Sequence, residues 1–316
     1  GVDEDFRFAL TMIGGGCDAG GLHTVATVLA KHSANIENIR QLSSGGLSSV
    51  EIIGRLPGTD SEQAVKLRRA LMVATNDLDM DIAVQRERLI RRSKRLVVMD
   101  MDSTLIRIEV IDELARLYGV VDEVSAITRR AMAGELDYED SLRARVKLLE
   151  GMSMDDVAKL GRDLPVTEGA REMLRVLHSL GYKTAVISGG FTFAANALKE
   201  QLGLSYAYAN DLEVQDGRLT GGVLEPIVTP QRKADLLDAI AQREGISLAQ
   251  TIAIGDGAND MTMLARAGLG IGYHAKAKLR EAADTSLSAG GLDRILFLLG
   301  LHERDIQEML NGAGDA

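Results

Sequence analysis

The chain has 316 residues, of which 46% are hydrophobic and 26% charged, and its formal charge is −10. That length exceeds one small core and allows about two domains; the net acidity gives no general field for holding nucleic acid or an anionic membrane, so any phosphate site has to be built locally. The one cysteine, Cys17, has no internal disulfide partner, which suits a reducing cytoplasm; no apolar run approaches the ~20 residues of a membrane span, and no basic-then-apolar leader opens a chain that begins with Gly1, as a shortened or processed N-terminus would.

Aromatics are 3% with no Trp, so aliphatic side chains and Met have to fill the core. Residues 6 to about 85 read as one small unit. Phe6–Ile13 predicts a strand, and Leu22, Val25, Ala26 and Leu29 recur at helical spacing. Asn35–Leu42 and Leu47–Leu56 predict a hairpin around Ser43-Ser44-Gly45-Gly46. Ser61 predicts the cap of a helix carrying Ala64, Leu67, Leu71 and Val73, and Ile82–Val84 a short last strand. The order βαββαβ is the ferredoxin-like arrangement. Residues 86–94 then carry Arg86, Arg88, Arg91, Arg92 and Lys94. They predict a solvated linker helix between two domains, because no interleaved aromatics support a nucleic-acid patch.

From residue 95 to 316 the pattern is a second domain of alternating βα units. Leu96–Asp100, Lys183–Ser188 and Thr251–Gly255 are apolar runs of strand length, each followed by a polar or glycine turn and then helical sequence. Such runs suit buried parallel strands. Residues 109–165 interrupt the alternation with mostly helical sequence, an inserted cap. Asp211–Val214 and Arg218–Gly222 flank Gln215-Asp216-Gly217, and Asp-Gly favours the primed turn of a hairpin.

Three segments after these strands carry chemistry. Asp100-Met101-Asp102-Ser103-Thr104-Leu105 places two carboxylates beyond a strand's carboxyl end, where open parallel sheets bind ligands. One can attack phosphorus while the other manages a proton. Taken alone, the pair reads more simply as turn aspartates. Gly255-Asp256-Gly257-Ala258-Asn259-Asp260 adds hard oxygen donors suited to Mg²⁺ at the end of another strand, and two such clusters make a bare loop an inadequate explanation. Ser188-Gly189-Gly190 offers a hydroxyl and backbone N–H groups at a helix start, an anion site. Lys233 lies near the start of a further helix, where a cation is mildly unfavourable, which fits recruitment to balance charge in a site.

These pieces, in this order, resemble the haloacid dehalogenase superfamily, and within it the branch that acts on O-phospho-L-serine; the resemblance runs over nearly all of residues 95–300. It implies a Rossmann-like parallel sheet with a helical cap. It also implies Mg²⁺-dependent hydrolysis of phosphoserine to serine and phosphate, the last step of serine biosynthesis. Asp100 would be nucleophile and metal ligand, and Asp102 general acid and base, lending its backbone carbonyl to the metal. Asp256 would be the second carboxylate ligand. Ser188 and Gly189 would bind the phosphoryl group, Lys233 would neutralise it, Asn259 would contact phosphate or substrate, and Asp260 would orient Lys233 and metal-bound water. In the cap, Glu109 would hold the substrate ammonium and Arg145, in Ser141-Leu142-Arg143-Ala144-Arg145-Val146, its carboxylate, a role suited to a bidentate guanidinium. Met132 and Tyr138 would close over the substrate, and Arg143 stays an exposed cap charge. Met99 and Met101 stand where the family more often has bulky or aromatic residues.

Residues 1–85 resemble an ACT domain, a regulatory module that binds amino acids and pairs with its own copies. Asp18-Ala19-Gly20-Gly21-Leu22 resembles its ligand loop, which implies a serine effector near Asp18 and Gly21 and a homodimer. Gly14-Gly15-Gly16 departs from the module's usual loop. His23 and His32 read as surface helix residues. The rival readings are a phosphatase for another small ester, a phosphotransferase using phosphoserine, and an idle amino-acid sensor. The complete set Asp100, Asp102, Lys233 and Asp256 argues against idleness.

Overall fold

A computed structural model of the chain describes residues 6–43, 48–58 and 61–312, apart from the side chain of Ser61. The expected turn at Ser44–Gly46 and the side-chain cap at Ser61 lie outside the described residues. The first unit contains β1 (Phe6–Ile13), α1 (Ala19–Lys31), β2 (Asn35–Ser43), β3 (Ser49–Leu56), α2 (Ser61–Ala74) and β4 (Asp81–Arg86). Its antiparallel sheet has the order β2-β3-β1-β4, the ferredoxin-like arrangement expected from the sequence. Strand alternation sends Phe8, Leu10 and Met12 to one face, against Val25 and Leu29 of α1 and Leu67 and Leu71 of α2. Ile13 and Ala83 belong instead to the core of the second unit.

The basic run after β4 is not a solvated helix. It holds one short 3₁₀ turn, Leu89–Arg92. Arg91 is 2% exposed and donates to Glu87 at 2.9 Å and to the fully buried Glu51 of β3 at 2.6 Å. Arg40 also pairs with Glu51. Lys94 is buried too and donates to the Ala249 carbonyl at 2.6 Å. Carboxylates already committed to the interior drew the guanidinium in, because an unpaired buried charge is costly. The run therefore anchors one unit to the other.

The second unit begins with β5 (Leu96–Met99). It continues through α3 (Val110–Tyr118), α4 (Val121–Met132), α5 (Tyr138–Lys147), α6 (Met154–Arg162) and α7 (Ala170–Ser179) to β6 (Lys183–Phe191), α8 (Thr192–Leu202) and β7 (Tyr206–Asn210). A hairpin, β8 (Leu212–Gln215) and β9 (Arg218–Val223), precedes α9 (Pro230–Arg243), β10 (Thr251–Gly255), α10 (Met261–Arg266) and β11 (Gly270–Tyr273). The chain ends through α11 (Ala277–Ala282), β12 (Thr285–Leu287), α12 (Ile295–Leu298) and α13 (Glu303–Gly312).

Among the described residues the main sheet has the order β12-β11-β10-β5-β6-β7, with every pair parallel. The chain leaves β5 toward β6 and β7, then crosses back to build β10, β11 and β12 on the other side. This reversal opens a crevice beyond the carboxyl ends of β5 and its neighbours. Both faces of the sheet are covered. Val97 and Met99 pack with Leu114, Leu174 and Leu198, while Leu96 and Val98 pack with Leu237, Met263 and Leu279. Double-sided burial is why these strands read as continuous apolar runs.

Helices α3–α6 form the expected cap over this end of the sheet. In the β8–β9 turn, Asp216 and Gly217 both have positive φ, 52° and 72°, as the primed turn requires. The hairpin packs on the cap: Gly151 N donates to Leu219 O at 2.8 Å, and Leu219 N to Met152 O at 2.9 Å.

Candidate active site

Strand β5 delivers Asp100, whose backbone N–H still bonds across the sheet to Ile254 O at 2.9 Å. The chain then makes one wide turn, Met101–Leu105, in which Ser103 has φ 57°. This conformation is uncommon for a residue other than Gly, and such strain concentrates at functional sites. The turn brings Asp102 into the same crevice, with its Oδ1 accepting from Val110 N at 3.0 Å. Helix α9, capped by Thr229 with Pro230 at its first position, places Lys233 one turn in and fully buried. Lys233 Nζ lies 2.9 Å from Asp100 Oδ1 and 2.7 Å from Asp260 Oδ1. Asp260 Oδ2 accepts from the backbone N–H groups of Asp256 and Gly257, at 3.2 and 3.1 Å. Asp260 thus holds Lys233 with one oxygen and shapes the Asp256 loop with the other.

Asp100, Asp256 and Asp260 each offer a carboxylate oxygen within 4.8 Å of the other two, all buried. Among the described residues, Lys233 is the one buried cation that faces them. Burial and then repulsion from Asp260 push the Asp100 carboxyl well above its ordinary range, against the pull of Lys233. Burial and Asp260 likewise push Asp256 up to about 6. Burial opposes the charge on Lys233, but Asp100 and Asp260 hold it above the ordinary lysine range. The site therefore carries more buried negative charge than it can satisfy, which is what a divalent cation would relieve. The donors fit such an ion. No described residue donates to Asp100 Oδ2, and Asp256 makes only long contacts, 3.4 Å to Thr104 Oγ1 and 3.7 Å to Lys276 Nζ. Both oxygens of Asp260 already accept hydrogen bonds, one from Lys233 and one from the Asp256 loop.

Asp102 has a different environment. Burial and then Glu109 push its carboxyl up to about 8, which favours its protonated form. Ser188, at the end of β6, is 1% exposed, and its Oγ accepts from Gly190 N at 2.8 Å. A Cβ at 190 would stand 2.7 Å from Asp102 Oδ2, and one at 189 would strike the Tyr138 hydroxyl, so a side chain at either would displace a group that lines the site. The cap supplies the other wall. Glu109 accepts from Ser103 Oγ at 2.7 Å, and half-buried Arg145 donates to Ser141 O at 3.2 Å. A cavity of about 370 Å³, open to solvent on one side, lies between crevice and cap. Asp100, Asp102, Asp256, Ser188, Gly189 and Asn259 line its sheet side, and Glu109, Met132, Tyr138 and Arg145 its cap side. Lys233 and Asp260 lie beneath it. Met132 is 74% exposed at the rim, and Arg143 pairs with Glu225 outside it.

Two residues of the site were not singled out from the sequence. Asn210 donates to Gly189 O at 2.8 Å and accepts from Val228 N at 2.7 Å, tying down the phosphate-type loop. Lys276 reaches the cavity from beyond β11, a strand whose two glycines hide it; the rule that ligands sit past strand ends would have found it. In the first unit, Asp18 caps α1 by accepting from Gly21 N at 2.9 Å, and a Cβ on Gly21 would strike Gly16 O. Both have structural duties there.

Residues 97–265 match the family model of haloacid dehalogenase-like hydrolases. The chain is a haloacid dehalogenase-like hydrolase. Residues 8–85 of this hydrolase match the model of an ACT domain. A phosphoserine phosphatase of Streptomyces coelicolor is 44% identical to the hydrolase over 301 residues, 95% of this chain and 72% of that one. The structure of a haloacid dehalogenase family hydrolase from Salmonella enterica serovar Typhi superimposes with a TM-score of 0.80 at 27% identity, over 92% of this chain and 98% of that one. A phospho-aspartyl intermediate analogue of a phosphoserine phosphatase superimposes with a TM-score of 0.62 at 47% identity, over 65% of this chain and 98% of that one. Among the described residues, no helix is long and apolar enough to cross a membrane.

Proposed function

We propose that this hydrolase cleaves O-phospho-L-serine to L-serine and phosphate through a phosphoaspartate on Asp100, the last step of serine biosynthesis, in the cytoplasm. The observation that carries the reading is the division of labour between two neighbouring carboxylates. Asp100 is ion-paired to Lys233 with one oxygen free to attack, and Asp102, apart from that ion pair and raised by burial and Glu109, faces the same cavity. Relatives named phosphoserine phosphatase, one of them solved as a phospho-aspartyl intermediate analogue, support it.

Uncatalysed hydrolysis of phosphate monoesters is among the slowest reactions enzymes accelerate, so electrostatics and positioning have to supply most of the stabilisation. Asp100 and Asp256, with the Asp102 backbone carbonyl, would hold Mg²⁺, which when bound supplies positive charge against the phosphoryl oxygens. Lys233 and the Ser188–Gly190 loop face the same oxygens. Arg145 takes the substrate carboxylate and Glu109 its ammonium. Asp100 Oδ2 attacks phosphorus as the P–O bond to serine breaks, and Asp102 gives its proton to the leaving oxygen. Asp102, now ionised, takes a proton from water, which attacks phosphorus and frees Asp100. The test measures serine and phosphate released from phosphoserine with Mg²⁺ and with EDTA. Equimolar release, lost in EDTA and restored by excess Mg²⁺, is expected. Serine without matching phosphate would mean transfer to another acceptor, and release unaffected by EDTA would end the metal assignment.

A further inference from the structure

The aromatic residue of the cap brings a polar tip as well as a ring to the catalytic cavity. Tyr138 opens α5, directly after the N-cap Asp137, and is half-buried against that cavity. Its hydroxyl reaches across to the sheet side: the place a Cβ on Gly189 would take lies 1.9 Å from Tyr138 Oη. The matching place on Gly190 lies 2.7 Å from Asp102 Oδ2 and 3.0 Å from Ser188 Oγ. Beside two successive glycines of the anion loop thus stand the phenol of the cap and a carboxyl of the crevice. A ring that only closed over a substrate would need no hydroxyl, and the O–H of a Tyr taken into a protein ordinarily finds a hydrogen-bond partner. Among the described residues this one makes no hydrogen bond.

The hydroxyl is suited to donate. Burial pushes the phenol up to about 12, against the pull of Lys233. At neutral pH it keeps its proton, and a neutral O–H serves an anionic oxygen without adding charge to a site already crowded with carboxylates. The charges that act on it are those of the reacting centre, Lys233, Asp100 and Asp102, and Arg145 on its own helix. Tyr138 and Arg145 stand about two turns apart on α5, and both line the cavity. Arg145 Nε turns back along the helix to Ser141 O at 3.2 Å. One helix face therefore carries a donor for each end of an ester that has a carboxylate and a phosphate. The guanidinium suits the carboxylate, and the phenol, set against the anion loop, suits the phosphate.

We propose that Tyr138 is a catalytic residue whose hydroxyl donates a hydrogen bond to a phosphoryl oxygen of the bound ester, from the cap side, opposite in origin to Lys233 and the Ser188–Gly190 loop. No proton leaves Tyr138; the acid and base duties stay with Asp102. Because this donor belongs to the cap and the others to the crevice, the set of donors around the phosphoryl group is complete only while the cap covers the crevice. The inference deepens the proposed function and rests on it for the identity of the ester alone.

Tyr138→Phe removes the oxygen and keeps the ring, and it strips no protein group of a partner, so the melting temperature of the intact chain should stay level. With Mg²⁺, kcat/KM should fall about tenfold or more for phosphoserine and for p-nitrophenyl phosphate alike, the loss expected of a hydrogen bond to a charged group. Inorganic phosphate, titrated by calorimetry, should bind at least about threefold more weakly, a change that a packing role for the ring would not produce. Arg145→Ala should spare the aryl ester and inorganic phosphate. A Tyr138→Phe loss confined to phosphoserine would move the hydroxyl to the carboxylate end and overturn the assignment. So would unchanged constants for all three probes. A wild-type chain that hydrolyses the aryl ester but not phosphoserine would sink the substrate reading alone, with the role of Tyr138 still decided by the aryl ester and by phosphate.

Discussion

Two clusters of buried charge sit in this hydrolase, and they are settled differently. At the junction of the units, Glu51 and Glu87 meet Arg91 and Arg40, two carboxylates against two guanidiniums. Beyond β5, Asp100, Asp256 and Asp260 meet Lys233, three carboxylates against one buried ammonium. Burial disfavours the charge on Glu51, yet Arg91 and Arg40 hold its carboxyl below the ordinary range. The same burial pushes Asp100 and Asp256 up, because nothing in the protein offsets it fully. A balanced cluster is finished when the chain folds and serves the fold. An unbalanced one is finished only by something that binds, and that is what marks it as the site.

The comparison can be broken most directly at Asp100. Asp100→Asn keeps the shape and removes both the nucleophile and one of three crowded charges. Turnover of phosphoserine should fall at least ~10³-fold, while the melting temperature in EDTA stays level or rises. Residual activity above that level would remove Asp100 from the chemistry. At the balanced cluster the outcome should reverse. Arg91→Ala leaves Glu51 buried without its best partner, and denaturant melts should lose about 3–5 kcal/mol, with kcat per folded molecule unchanged. A loss under about 1 kcal/mol would mean the cluster is not holding the units together.

Arg145 sharpens the contrast from outside both clusters, as a half-buried cap cation that lines the cavity. Arg145→Ala should cost phosphoserine about 1.5–3 kcal/mol, roughly tenfold to a hundredfold in kcat/KM, and an aryl phosphate little. Equal losses would make it a fold residue. The smallest effect is in acid. Glu51 is lowered on folding, so its stabilisation is full above its ordinary value of 4.5 and lost as pH falls through its lower folded value. The stability gap between wild type and Arg91→Ala should therefore narrow in acid melts. A gap that stays constant with pH would mean Arg91 acts by packing rather than by charge.

How far the sequence revealed this molecule depended on how local each signal is. Strand β10 was read with its true bounds, and β5 and β6 to within a few residues, because both faces of each are buried and their apolar runs are unbroken. The Asp216-Gly217 turn was read because its backbone conformation needs those residue types. The carboxylates that meet at the cavity were visible because each follows a strand end within a few positions. What stayed hidden is set by partners distant in sequence. Strand β11 alternates glycine with Ile271 and Tyr273, and β12 is three residues long, so neither has a pattern of its own. Arg91 looked like one charge in a solvated run, since nothing near it in the sequence announces Glu51, forty residues earlier. Lys276 was hidden with β11.

The β8–β9 hairpin has a consequence for the order in which the chain is made. The cap helices α3–α6 are synthesised as one block, yet the backbone groups of Gly151 and Met152 bond to Leu219, almost seventy residues later. Until that hairpin has emerged from the ribosome, the backbone groups of Gly151 and Met152 lack these partners. Central strand β5 waits longer still for β10. The half-made chain should thus pass through a long interval in which its most apolar strand has one neighbour or none, the stage at which chaperone binding would matter most.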